Sequence, residues 1–264
     1  MMPRRINPMT STRRSFAAVA AAVLLVFSVG ATRAQNMSAP QRTEIESIIK
    51  DYLIAHPEVL QEALGELEKR QTAAEAAKHQ AAVKDNAETL FNSNRQVVLG
   101  NPQGDITLVE FFDYNCGFCK RAMVDMLDLL KNDPKLKVVL KEFPVLGEGS
   151  VQAAQVAVAV RMQDKTGKKY LDFHQKLLGG RGQADRAHAV AVAKEVGLDM
   201  ARLEKDMASD EIKASLEESF KLADALGLSG TPSYVVGSDI LVGAVGLPAL
   251  KEKVNTARCG KALC

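Results

Sequence analysis

The sequence predicts an α/β fold behind an amino-terminal helical stalk. Three observations carry that expectation. A nearly continuous apolar, β-prone run, "DITLVEFFDY", leads straight into residues with helical spacing. A second β-prone run, "KLKVVLKEF" (135–143), follows, and a long helical block then separates these from "SYVV" and "DILVGA" near the end. Strand, helix, strand, helices, two strands, helix is an α/β order, and the unbroken apolar character of the first run is that of a central strand buried on both faces. With 264 residues, 47% hydrophobic and 25% charged, the chain is long enough for one globular domain with a proper core and an additional segment. No internal repeat is visible.

Residues 1–34 stand apart from that fold. Arg4, Arg5, Arg13 and Arg14 precede the apolar run Phe16 to Ala31, which is shorter than the ~20 residues of a membrane span. "TRA" at 32–34 then has the form of a small-residue cleavage site. The expectation is an export signal cut after Ala34 rather than a retained membrane anchor. "TRRSFAA" resembles a twin-arginine export motif, and the export route stays open between the two classes of signal. The segment carries five arginines and no acid, so without it the 34 basic residues of the chain fall below its 32 acidic ones. A nucleic-acid surface is not suggested.

Residues 35–95 read as helix. Ser38 can cap, Pro40 suits a first turn, and Gln41 stands where a capping-box partner belongs. Ile45, Ile48, Ile49, Tyr52 and Leu53 follow on one face, and the helix restarts at Pro57 with Leu60, Leu64 and Leu67 on one side. From Gln71 to Thr89 the composition is Ala, Lys, Glu and Gln, with Val83 as the one large aliphatic residue. An apolar stripe followed by a polar rod cannot bury itself alone. It can pack on its own globular domain or on further copies of the chain, and the intervening polar rod favours the copies. The segment is therefore expected to be a homo-oligomerisation helix and linker.

Residues 96–264 form the expected globular domain, with a helical insertion at about 150–227. The helix after the first strand carries Met123, Met126, Leu127 and Leu130 and stops at "NDP". The block from Ser150 to Leu226 is punctuated by Gly179-Gly180 and Gly197, and Pro248 opens a last helix. Tyr170, Phe173 and Leu177 make a stripe that reads as core packing. The four histidines, at 56, 79, 174 and 188, lie on expected helices without ligand-like spacing and read as surface or half-buried residues.

The chemistry concentrates in "VEFFDYNCGFCKRAM" (109–123). In an exported chain a CxxC is either a structural disulfide or a redox centre. Four cysteines allow three pairings, and sequence separation favours Cys116 with Cys119 and Cys259 with Cys264. If Cys116 ends the strand-to-helix turn, its sulfur faces unpaired N–H groups and the positive end of the helix dipole, which favour the thiolate and make it the nucleophile. Cys119, one turn on, is placed to attack a mixed disulfide formed at Cys116. Glu110 lies inside the buried strand, where an ionised carboxylate is costly and its pKa should rise, so it can exchange a proton with Cys119. The ordinary alternative is an acid that meets a lysine at the sheet end.

At these residues the sequence resembles the thioredoxin superfamily, and within it the DsbA-like periplasmic thiol-disulfide oxidoreductases. "EFFDYNCGFCK", the helical block between the second and third strands, and "GTPSYVV" (230–236) carry the match over residues 98 to 257. The resemblance implies a thioredoxin fold with an inserted helical subdomain, and a cis Thr231-Pro232 peptide whose exposed backbone pairs with a substrate strand beside Cys116. Gly117 and Phe118 stand where DsbA has a thiolate-stabilising histidine. Cys-Gly-aromatic-Cys, and threonine before the proline, are more similar to the DsbC isomerases. A helical segment ahead of such a domain is similar to the trimeric ScsC group.

What this resemblance implies is disulfide isomerisation or reduction on unfolded or misoxidised exported proteins, with a membrane redox partner and a homo-oligomer, a trimer favoured. A monomeric dithiol oxidase and a non-catalytic binding chaperone are the alternatives. The Cys259–Cys264 pair in "ARCGKALC" reads as a structural staple of the chain end, with a second redox relay as the other reading. Zinc or copper(I) could take four thiolates, but a CxxC at a helix start after a buried strand already has a redox explanation, so no metal or cofactor is expected.

Overall fold

A computed structural model of the chain describes residues 37–264. The expected export signal lies outside the described residues. The chain divides into two units at Glu66 and Leu67, and a long helix crosses that point.

In the first unit, α1 (Ala39–Ala55) begins with the capping box that the sequence predicts: Ser38 Oγ accepts from the Gln41 N–H, and the Gln41 side chain accepts from the Ser38 N–H at 3.0 Å. The helix stops at His56 and α2 (Pro57–Asp85) starts at the proline. No residue of α1 is buried. Ile45, Ile48, Ile49, Tyr52, Ile54, Leu60 and Leu64 all stand exposed.

The second unit is built on a five-stranded sheet, β1 (Val97–Gly100), β2 (Ile106–Phe112), β3 (Leu136–Glu142), β4 (Ser233–Val236) and β5 (Asp239–Val242), in the order β1-β3-β2-β4-β5. The central pair, β2 and β3, is parallel, with Glu110 opposite Leu140. Parallel neighbours need a crossover, which α4 (Gly117–Asn132) supplies. β1, β4 and β5 add antiparallel strands. The four-residue β1 is not distinguishable in the sequence from the start of the apolar run after it. It exists by pairing with β3, and it ends at Gly100, where φ is +73° and an added Cβ would lie 2.6 Å from the Leu136 carbonyl oxygen.

Alternation along β2 sorts its side chains onto two faces. Leu108 and Phe112 face one core, with Cys119, Ala122 and Met126 of α4, Tyr234 of β4, and Leu250 and Val254 of α10 (Leu247–Cys259). Val109 and Phe111 face the other, with Val83 of α2, Leu90 of α3 (Ala87–Asn92), and Leu222 and Ala223 of α9 (Asp210–Ala225). The expected uninterrupted rod from Gln71 to Thr89 breaks at Asn86, whose side-chain amide donates to the Ala82 carbonyl at 2.8 Å and competes with the helix ladder. Globular packing therefore takes in residues ahead of 96.

The insertion between β3 and β4 contains α5 (Glu148–Gln163), α6 (Lys168–Gly179), α7 (Arg186–Glu195), α8 (Met200–Met207) and α9. α5 is its buried centre, and its Arg161 is held by Glu211, Ser215 and the Asn94 carbonyl. At the chain end Cys259 and Cys264 are bonded to each other. Among the described residues no helix is long and apolar enough to cross a membrane.

Candidate active site

The end of β2 and the start of α4 place the two cysteines. After Phe112 the chain turns through Asp113, Tyr114 and Asn115, and the Cys116 N–H donates to the Asp113 carbonyl at 3.1 Å. Cys116 is the N-cap of α4: its sulfur accepts from the Cys119 N–H at 3.4 Å, one of the orphan donors of the first turn. The thiol donates to the Thr231 carbonyl at 3.2 Å. Thr231-Pro232 is cis, and the contact with the sulfur runs through the threonine backbone. Gly117 and Phe118 lie at the surface, where a Cβ on Gly117 would meet no neighbour and the Arg121 guanidinium stands 4.4 Å from the centre of the exposed Phe118 ring.

The two sulfurs have different surroundings. Both are unbonded, so the pair is in its dithiol form. Cys116 keeps 6% of its surface, whereas Cys119 has none. Burial pushes the Cys119 thiol well above the usual cysteine range; a hydrogen bond with the Asp113 backbone opposes this, and the charge of Glu110 adds to it.

Glu110 faces α4 from β2, opposite Tyr234 across the strand pair. It is 2% exposed, and its Oε2 is buried without a hydrogen-bond partner. Burial, reinforced by the charge of Asp125 on α4, pushes its carboxyl up to about 8. Among the described residues no ion pair reaches it, so the lysine of the ordinary alternative is not its partner. Asp125 carries no sequence signal of its own, since an acid at that helix position reads as a solvated face.

The structure also brings in residues that the sequence reading passes over. Asp113 is buried and accepts hydrogen bonds from two segments of the insertion, while Lys120 donates to the Gly179 and Gly180 carbonyls at 2.7 and 2.9 Å. His174, read as surface or half-buried, is buried at 1% exposure. It packs on Phe112 with ring centres 4.7 Å apart, and burial pulls it down to about 3, so it is neutral. With Tyr114, Tyr170 and Glu142 it forms a buried polar chain in which the Tyr170 hydroxyl donates to Glu142 at 2.7 Å. Tyr170, Phe173 and Leu177 are core, as their spacing predicts. Cys259 and Cys264 do not join Cys116 and Cys119 in a four-thiolate cluster, because each is the other's disulfide partner.

The site thus gathers a thiol at a helix start, a fully buried thiol one turn on, a buried carboxyl with an unpartnered oxygen and a cis-proline loop. Residues 107–255 match the DSBA-like thioredoxin domain family, and residues 41–74 match the copper resistance protein ScsC N-terminal domain. A thioredoxin-like oxidoreductase from Silicibacter pomeroyi is 44% identical, with 65% of this chain and 96% of that one covered at a TM-score of 0.61. ScsC of Proteus mirabilis, in a transitional conformation, is 28% identical over 85% of this chain and 98% of its own, with a TM-score of 0.62. A probable disulfide bond formation protein D of Bacillus cereus is 24% identical over 168 residues, 60% of this chain and 77% of that protein. Some curated relatives are much longer: the chain spans 26% of the Na(+)/H(+) antiporter NhaA 1 of Salinispora arenicola. With more than half its length inside the family match, the chain belongs to the DSBA-like thioredoxin domain family of thiol-disulfide oxidoreductases.

Proposed function

We propose that the protein exchanges disulfides with exported proteins in the periplasm, as a disulfide isomerase and reductase working through Cys116 and Cys119. The observation that carries this reading is the asymmetry of the pair: one sulfur at the open end of a helix, the other fully buried beside a carboxyl.

The Cys116 thiolate attacks one sulfur of a client disulfide, that S–S bond breaks, and the released client sulfur takes up a proton. Cys119 then loses its proton to the Glu110 carboxylate and attacks the Cys116 sulfur. The Cys116–client bond breaks, the client leaves as a second thiol, and the protein holds a Cys116–Cys119 disulfide. In isomerisation another client thiol performs that second attack, and both cysteines return as thiols. The cis Thr231-Pro232 backbone is the edge against which the client strand lies, with Gly117 and Phe118 beneath it.

Cys-Gly-Phe-Cys and the threonine before the proline support isomerisation over oxidation. The match of residues 41–74 and the exposed apolar face of α1 and α2 support self-association, a trimer in this reading, which places several sites around one client. The Cys259–Cys264 bond is a structural staple. A membrane protein that resets the dithiol is the expected redox partner, and the protein needs neither a metal nor a cofactor. The relatives named for disulfide bond formation favour a second reading, a dithiol oxidase.

Two assays test the proposal. Iodoacetamide near neutral pH should alkylate Cys116 well before Cys119, and preferential labelling of Cys119 would reverse the roles. The full mature chain in its reduced form should restore activity to scrambled ribonuclease. Oxidation of reduced ribonuclease without rescue of the scrambled form would install the oxidase reading instead.

A further inference from the structure

The polar atoms of the turn before Cys116 are committed to segments far away in sequence. Asp113 is 1% exposed. Its Oδ1 accepts from the Asn115 N–H at 2.8 Å and the Ser150 hydroxyl at 2.7 Å, and its Oδ2 accepts from the Val145 and Leu146 N–H groups at 2.8 and 2.9 Å. Asn115 extends the connection: its amide donates to Ser150 Oγ and the Ala184 carbonyl, both at 2.9 Å, and its Oδ1 accepts from the Ala184 N–H at 2.8 Å. The Asp113 carbonyl also accepts from the Cys116 N–H at 3.1 Å.

Four donors converge on one buried side chain. A carboxylate satisfies all four, whereas asparagine presents one oxygen and would turn an NH2 group toward two donors. The loop held this way is polar only in its backbone. The side chains of Val145 and Leu146 stay exposed at 39% and 51%, two apolar groups at the rim of the cysteine turn.

We propose that Asp113 is a positioning residue that fixes the Cys116 turn, the Val145–Leu146 lip and the start of the helical insertion as one frame. The attacking sulfur and the apolar surface that receives a client's side chains then keep a constant spacing. This role deepens the thiol-exchange reading and rests on it. A folded client or a small disulfide does not engage the lip. An unfolded segment with an apolar residue beside its cysteine does.

The test compares two substrates: oxidised glutathione, which carries no apolar side chain, and a disulfide-bonded peptide with leucine and phenylalanine flanking its cysteine. Asp113→Asn should lower the ratio of kcat/KM for the peptide to that for glutathione about tenfold, chiefly through KM, because a displaced lip costs only the substrate that touches it. Val145→Ser with Leu146→Ser should produce a similar fall, and the two changes combined should add little to either. Ser150→Ala removes one of the four donors and should move the ratio in the same direction by a smaller factor, which keeps a readout if Asp113→Asn does not fold. An unchanged ratio in every folded variant, an equal loss on both substrates, or full additivity with the lip variant would each overturn the positioning role while leaving thiol exchange intact. A wild-type protein inert toward oxidised glutathione would overturn the thiol-exchange reading, and the positioning role with it.

Discussion

Replacing Glu110 with glutamine is expected to slow closure of the Cys116–Cys119 disulfide from a mixed disulfide by about a hundredfold and to stabilise the protein at alkaline pH. Both effects come from one buried carboxyl. Cys119 is pushed well up by burial, so it needs a base at hand, and Glu110 is the acid that faces it across the strand-to-helix junction. Glutamine keeps the shape and removes the proton acceptor. In the wild type the rate of closure should climb as pH rises toward about 8, where the Glu110 carboxyl titrates, and then level off. Glu110→Gln should lose that rise.

The stability effect has a fixed sign. Glu110 titrates near its ordinary 4.5 in the unfolded chain and near 8 in the folded one. Below pH 4.5 both states hold the proton and the group contributes nothing. Between 4.5 and 8 the unfolded chain releases the proton while the folded chain keeps it, so stability falls as pH rises, and above 8 the whole penalty is present, of the order of a few kcal/mol. Thermal unfolding of Glu110→Gln and wild type should therefore coincide near pH 4 and diverge up to about pH 8, with the variant more stable. Parallel curves at all pH values would mean that Glu110 does not hold a proton in the folded state.

Truncation should have the other large effect, and its outcome depends on where the cut falls. Removing everything before Leu67 should leave a folded monomer that retains thiol exchange but loses most isomerase activity, since isomerisation benefits from several sites around one client. Extending the cut through Leu90 should prevent stable folding. It empties the places of Val83 and Leu90 beneath the sheet, at about 1.5–3 kcal/mol for each side chain before any cavity cost. It also removes the Thr89 carbonyl, to which the fully buried Lys141 ammonium donates at 2.8 Å. Circular dichroism and sedimentation of the two truncations would separate these outcomes, and a monomeric chain beginning at Gln35 would contradict the assembly reading.

What the sequence discloses here follows from how far each signal reaches. β2, β3 and α4 are legible because their periods are written in consecutive residues, and the position of Cys116 at the start of α4 follows from the change of period. Gly117, Phe118, Thr231 and Pro232 come from the family resemblance, and the structure sets the Thr231 carbonyl against the Cys116 sulfur. β1 is not legible because four residues carry too little pattern and its partner, β3, lies some 40 residues on. Val83 and Leu90 are isolated aliphatics around a polar helix end, and nothing local announces the sheet that covers them. His174 was within reach: it is four residues after Tyr170, on the face that the Tyr170, Phe173 and Leu177 stripe turns inward. Asp113 was not, since its partners stand 32 to 37 residues away and only the folded insertion brings them to it.

The most direct test of the account is to capture its first covalent intermediate. Protein beginning at Gln35 and carrying Cys119→Ala, incubated with a disulfide-bonded client peptide and digested under acid conditions, should yield the peptide joined to Cys116 by a disulfide, while Cys116→Ala should yield no adduct at Cys119. An adduct on Cys119 but not on Cys116, or none on either in a folded protein, would contradict the claim that Cys116 opens disulfides and Cys119 resolves them.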